Sequence, residues 1–360
     1  MDLRRLYRKM PIDPFKPPLY LKPTVIQTML ASLKIRTWGK KTLLHKEKPI
    51  VLETKNNARL LGVYSPRPEE KHRGLVILLH GWEGSSHSTY MVTCGDYLYR
   101  NGFSIFRLNL RDHGSSHHLN KGLFYATLLD EVWEAVHQAS RFGRGLPVYL
   151  VGFSLGGNFA IRIAAAYAGQ DSCRLSRVVS ISPVLDPDKA TDRIDNNSLI
   201  LSYFLKKWRR SLILKQALYP DLYDFSDILE MRSLREMTAT LLNKHTHYAD
   251  THEYFHAYSI QPELTRQITL PLTILTAADD PIIPIEEFQQ LKPGASTRVI
   301  MLEHGGHNGF IEGLFQPAWY DRFLLNLFET DIKIKGSRIR GVKGSSEPTP
   351  ASRGRQALVQ

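Results

Sequence analysis

Gly152-Phe153-Ser154-Leu155-Gly156 sets a serine between glycines. Far downstream the chain carries two adjacent carboxylates, Asp279 and Asp280, and then two histidines, His304 and His307. A serine hydroxyl is a weak nucleophile until a base removes its proton, and that base must be oriented by a third group. Serine, imidazole and carboxylate in one site can therefore attack a carbonyl carbon and form an acyl-serine. The reaction also needs two N–H donors aimed at the oxygen on which negative charge develops. The amide of Leu155, directly after the serine, is expected to be one. The glycine-rich stretch His80-Gly81-Trp82-Glu83-Gly84-Ser85-Ser86 is expected to supply the other at the amide of Trp82. His307 is preferred to His304 as the base, because Gly305 and Gly306 let its loop fold over the serine.

These residues are useful only if secondary structure delivers them to one place. Val148 to Val151 is an apolar run leading straight into the glycine–serine motif, and the alanine-rich NFAIRIAAAYAG leads straight out as a helix. A strand–turn–helix of this kind projects the serine at the carboxyl end of a sheet. Val76–Leu79, Ser104–Leu110 and Arg177–Ile181 read as further strands, and Leu123–Phe142 has apolar residues at helical spacing. The rhythm breaks between about 185 and 265, in a charged, aromatic and mainly helical stretch. It resumes with the strands Leu272–Leu275 and Val299–Leu302 and a closing helix at about 317–328. Near-continuous apolar strands separated by helices predict an α/β fold, a mostly parallel sheet covered on both faces. The aspartates and His307 each follow the end of their own strand. The loop Arg111-Asp112-His113-Gly114 is expected to brace the site from a neighbouring strand.

Composition narrows the function further. The chain has 360 residues, 42% hydrophobic and 23% charged, and a formal charge of +12. Residues 1–50 hold 12 Lys/Arg against 3 Asp/Glu, and 331–360 hold 7 against 2, leaving 28 against 30 between them. A nearly neutral body with basic ends is not the charge map of a nucleic-acid enzyme, so no nucleic-acid partner is expected. Residues 331–360, rich in Gly, Ser, Pro and charge, are expected to be disordered. Two cysteines exclude a disulfide-stapled scaffold. No apolar run is long enough for a transmembrane span, and prolines stand where a signal peptide needs an apolar core, so a cytoplasmic location is expected. A weak peripheral membrane contact through the N-terminal Lys/Arg and apolar residues is a further expectation. One rival motif exists: His252-Glu253-Tyr254-Phe255-His256 matches the H-E-x-x-H zinc pattern, with His245 and His247 nearby. No downstream third-ligand motif completes it and it lies within the insertion, so no metal and no cofactor are expected.

HGWEGSSHSTY (80–90), NLRDHG (109–114), GFSLGGN (152–158), AADDPIIP (277–284) and EHGGHNGF (303–310) together resemble the YheT-like branch of the α/β-hydrolase superfamily. PPLYLKPTVIQTMLASL (17–33) resembles the leader of that branch, and EYFHAYS (253–259) resembles an aromatic element of its cap. The resemblance spans about residues 15–330. The chain order Ser, Asp, His is that of the superfamily. It implies a metal-independent serine esterase with Ser154, Asp280 and His307 as nucleophile, acid and base. Asp280 is preferred to Asp279 because it stands four residues before Pro284, the spacing usual there. Some relatives act on lipids or transfer acyl groups from coenzyme A to alcohols, so the expected substrate is a small ester or lipid-like molecule. An acyltransferase using the same triad and a non-catalytic binding protein on the same fold are the alternatives. The expected organisation is an N-terminal extension (1–50), a hydrolase domain (51–330) with a helical cap at 185–265, and the tail (331–360). The loop 111–114 departs from the N-x-R-G pattern frequent among relatives, which bears on the pocket beside the nucleophile.

Overall fold

The computed structural model describes residues 14–39, 41–167 and 174–343. Eight strands form one sheet: β1 (Lys48–Glu53), β2 (Arg59–Ser65), β3 (Gly74–Leu79), β4 (Phe103–Leu108), β5 (Val148–Phe153), β6 (Leu175–Ile181), β7 (Leu272–Ala277) and β8 (Thr297–Leu302). Their spatial order is β1-β2-β4-β3-β5-β6-β7-β8. β1 and β2 pair antiparallel with each other, β2 pairs antiparallel with β4, and all other pairs are parallel.

The strands β3, β4, β5 and β7 are buried along their whole length, which is why they read as near-continuous apolar runs. Their side chains still alternate between two cores. Leu75, Ile77 and Leu79 of β3 face one, while Val76 and Leu78 face the other. The first core is covered by α3 (Leu129–Ser140) and α4 (Leu155–Tyr167), the second by α2 (Thr89–Arg100) and α11 (Trp319–Lys343). α1 (Thr24–Ser32) precedes the sheet in the chain, and α10 (Ile285–Gln290) follows β7.

Between β6 and β7 the chain leaves the sheet for α5 (Pro187–Asp195), α6 (Ser198–Leu218), α7 (Ser226–Glu230), α8 (Leu234–His245) and α9 (Thr251–Tyr258), and a short helix at Leu264–Gln267 leads back into β7. Local signals start them. The Asp186 carboxylate accepts from the N–H groups of Asp188 and Lys189, with Pro187 in the first turn, and Asn197 and Ser233 cap α6 and α8.

Two expected boundaries shift. α11 continues to Lys343 rather than giving way to disorder at 331. Arg177 holds Asp331 in a two-bond fork of 2.7 and 2.8 Å, and Ile332 packs on the second core, so the helix is anchored past that point. The remainder of the expected tail, 344–360, lies outside the described residues. At the other end, β1 begins at Lys48, inside the expected extension.

Candidate active site

Parallel strands share a direction, so the residues that follow β3, β5, β7 and β8 emerge at one edge of the sheet. Ser154 follows β5 immediately and adopts φ +53°, in the left-handed region. A non-glycine residue there costs on the order of 1–3 kcal/mol unless its surroundings enforce it. They do: its N–H donates to Ile181 O at 2.9 Å, and its carbonyl accepts from Asn158 N at 3.0 Å. The flanking glycines are sterically required. A Cβ on Gly152 would come within 2.1 Å of Gly156 O, and one on Gly156 within 2.5 Å of Leu79 O.

His307 lies on the loop after β8. Its Nε2 is 2.9 Å from Ser154 Oγ and its Nδ1 is 2.8 Å from Asp280 Oδ2. Asp280 is buried, and its other oxygen accepts from the amides of Ile282 and Ile283 at 2.8 and 3.0 Å. With the carboxylate against Nδ1–H, Nε2 is left as an acceptor for the serine proton. Asp279 makes no such contact. It accepts from Gly306 N at 2.8 Å and from Thr24 Oγ1 at 2.7 Å, and His304 stands 3.9 Å from it.

The loop after β3 closes on the serine from the opposite side. A Cβ on Gly81 would lie 3.0 Å from Ser154 Cβ and 3.5 Å from its Oγ. His80 locks this loop: its Nδ1–H donates to Gly81 O at 2.7 Å, and its Nε2 accepts from Leu110 N at 3.1 Å. That pattern requires the neutral ring, and complete burial lowers the His80 pKa to about 4. His113 is buried beside it and also held neutral, chiefly by burial, with its Nδ1–H donating to Arg111 O. The Trp82 ring stacks on Phe204 at 5.3 Å and meets Trp208 edge-on at 5.0 Å, so α6 lies against this loop. Glu83, with φ +53°, has its carboxyl pushed up to about 8 by burial, only partly offset by Lys207.

Above Ser154 is a cavity of about 150 Å³, walled by sheet loops on one side and by α5, α6, α8 and α9 on the other. Leu123, Phe124, Ile194, Leu241 and Tyr254 make it mostly apolar. It also meets Asp112, whose buried carboxylate is paired with buried Lys215 at 2.8 Å. Lys215 Nζ further donates to Asn120 O and Gly122 O, at 2.7 and 3.0 Å. The loop 111–114 thus braces the site and also forms part of the cavity wall.

The H-E-x-x-H segment forms α9. Glu253 is occupied at the start of that helix: its N–H donates to Asp250 Oδ1 at 2.8 Å, while its carboxylate accepts from Ala249 N at 2.7 Å. This is a reciprocal helix cap. The His252 side chain is 81% exposed, and Tyr254, Phe255 and Tyr258 form the buried face. Among the described residues no group of three His, Cys, Asp or Glu side chains could hold a metal ion.

A doubly covered, mainly parallel sheet, with a serine on the turn after its central strand and an imidazole and carboxylate lined up behind it, defines an α/β hydrolase. The family model for the alpha/beta hydrolase fold matches residues 74–314, and the chain belongs to that family. Within it the protein is YheT-like: it is 25% identical over 281 residues to YheT of Escherichia coli strain K12, which carries the name of an esterase. That match covers 76% of this chain and 82% of the relative. It is also 25% identical over 279 residues to the mouse monoacylglycerol lipase ABHD2, covering 69% of this chain and 64% of that protein. Among solved structures, the Pyrococcus furiosus esterase PF2001 superposes with a TM-score of 0.53 over 82% of this chain and 94% of its own. At 18% identity that likeness is one of fold. Among the described residues no helix is long and apolar enough to cross a membrane.

Proposed function

We propose that the protein hydrolyses carboxylic esters through Ser154, His307 and Asp280. The observation that carries this reading is the continuous chain of contacts, 2.9 Å from serine to imidazole and 2.8 Å from imidazole to carboxylate. Ser154 Oγ attacks the ester carbonyl while His307 Nε2 takes its proton. Asp280 holds the ring and stabilises the imidazolium as it forms. The amides of Leu155 and Trp82 receive the oxyanion. As the tetrahedral intermediate collapses, His307 returns the proton to the departing alcohol. Water then attacks the acyl-serine by the same route.

The helices α5 to α9 act as a cap, and the cavity beneath them limits the substrate. A space of about 150 Å³ holds a group about the size of benzene, so with the cap as it stands the acyl group is short. A longer, lipid-like chain requires the cap to move. The exposed Leu19, Tyr20, Met29 and Trp38 support a peripheral membrane contact at the N-terminal segment. Flotation with anionic liposomes that survives replacing all four by serine would remove it.

The principal test is a series of p-nitrophenyl esters, from acetyl to dodecanoyl, on the wild type, on Ser154→Ala and with EDTA. The expected result is an optimum at or below about six carbons and insensitivity to EDTA. Ser154→Ala should lose about 10⁴-fold or more in kcat. Activity that survives Ser154→Ala and dies in EDTA would overturn the reading in favour of the α9 histidines. An added alcohol that outcompetes water for the acyl-enzyme would make the protein an acyltransferase with the same triad.

A further inference from the structure

The loop carrying His307 rests on residues from the far end of the chain, ahead of the matched hydrolase region. The inner face of α1 presents Thr24, Gln27 and Thr28 to it. Thr28 Oγ1 accepts the backbone N–H of His307 itself, at 3.0 Å. Thr24 Oγ1 donates to Asp279 Oδ2 at 2.7 Å, and the other oxygen of that carboxylate accepts from Gly306 N at 2.8 Å. Gln27, fully buried, exchanges two bonds with the Ile311 backbone, at 2.8 and 2.9 Å, and donates to Leu21 O. Arg36, 2% exposed, donates to Leu314 O and Gln316 O, further along the same loop.

The packing leaves no slack. A Cβ on Gly306, which sits at φ +53°, would come within 2.7 Å of Thr28 Oγ1 and 2.8 Å of Thr24 O. One on Gly309 would come within 2.7 Å of Gln27 O. The two adjacent aspartates therefore do different work. Asp280 holds the imidazole ring, and Asp279 ties the backbone beneath that ring to α1. None of Thr24, Gln27, Thr28 and Asp279 lines the cavity.

We propose that α1 and Asp279 form a positioning clamp for the catalytic base, with Thr28 and the Thr24–Asp279 pair setting where His307 stands between Ser154 and Asp280. This rests on the serine-hydrolase reading above. The imidazole must take a proton from one oxygen and deliver it to another, and a displacement of about 1 Å in such a group costs about 100-fold in rate. The clamp acts through His307 and touches no substrate, so its loss should lower kcat and leave KM alone.

The test uses the full chain and two readouts, ester hydrolysis and the rate at which a fluorophosphonate modifies Ser154. Thr28→Val keeps the side-chain shape but removes the acceptor for His307 N–H. It should lower kcat and the phosphonylation rate together by about 10–100-fold, with KM within about twofold. Thr28→Ser, which restores the hydroxyl, should recover most of both. Asp279→Ala, which removes the carboxylate that accepts from both Thr24 Oγ1 and Gly306 N, is the second variant should Thr28→Val fold poorly, and the same kcat-selective loss is expected. A fall in melting temperature with kcat and phosphonylation unchanged would overturn the clamp, as would equal losses in Thr28→Val and Thr28→Ser. A wild-type protein that hydrolyses esters but does not react with the phosphonate would instead sink the serine reading beneath it.

Discussion

Ser154 is held between two loops that are supported in opposite ways. The His307 loop is fixed by Gln27, Thr28 and Asp279, each bonded to its backbone, with Thr24 bonded to the Asp279 carboxylate over the same tight interface. The loop of Trp82 is supported by long side chains of α6. Lys207 Nζ donates to Glu83 O at 2.9 Å, and Phe204 and Trp208 lie against the Trp82 ring. Further along, Ser211 and Lys215 of α6, with Tyr219 and Tyr223 beyond its last turn, reach loop carbonyls between Asp112 and Gly122. Four-residue spacing puts Lys207, Ser211 and Lys215 on one face of the helix. A long side chain can let go of a carbonyl and find it again, whereas a threonine packed against a glycine cannot. On the reading proposed above, the side that would handle the proton rests on short, packed supports and the side that would meet the substrate on longer ones.

Four measurements break or sharpen that contrast. The largest effect belongs to the stiff side: Asp280→Asn should reduce kcat by about 10³–10⁴-fold with the fold intact, because the ring loses the partner that fixes its tautomer. Equal melting curves beside a collapsed rate would show it. On the adjustable side, Lys215→Met leaves Asp112 buried without its cation. It should destabilise the protein by about 3–5 kcal/mol at pH 8, while adding Asp112→Leu should recover much of that loss. The Asp112 carboxyl is pushed up to about 6 by burial, Lys215 notwithstanding. A carboxyl whose folded pKa exceeds its unfolded value favours folding at low pH, and that contribution is lost as pH rises through the folded pKa. The Lys215→Met deficit should accordingly shrink at pH 5, which denaturant titrations at the two pH values can read.

Lys207→Met releases the Glu83 carbonyl and should cost about tenfold in kcat, the effect of one loosened support on the loop proposed to hold the oxyanion rather than of a lost donor. A loss as large as that of Asp280→Asn would erase the distinction between the two sides. The smallest effect is Glu83→Gln. With its carboxyl held protonated up to about pH 8, Glu83 binds a proton more tightly folded than unfolded, so its burial disfavours the folded state increasingly between pH 5 and 8. The amide should stabilise the protein by on the order of 1–2 kcal/mol at pH 8 and by little at pH 5.

The parts legible in the sequence were those written locally. A buried parallel strand is an apolar run, and the turn after it needs glycines, so Ser154, the two aspartates and His307 could each be placed at the end of a strand. The first strand carries no such signal: β1 lies at the sheet edge, largely exposed, and Lys48–Glu53 lacks a continuous apolar face. The H-E-x-x-H match shows the converse hazard. The same letters that spell a metal site form a capped amphipathic helix, with its glutamate spent on the cap. The α1 clamp left no local trace, because a threonine hydroxyl facing a backbone amide at the other end of the chain has no pattern. Asp279 beside Asp280 was the one visible hint, and it read as an ambiguity over the triad rather than as two roles.

The bond from His307 to Thr28 spans 279 residues of chain. On a ribosome adding about 5–20 residues per second, Thr28 is made about 15–55 s before its partner exists. Ser154 is made 153 residues ahead of His307, whose ring its hydroxyl meets. On the reading proposed above the nucleophile therefore precedes its base in synthesis, and α1 can catch the loop that carries the base only after all eight strands have been made.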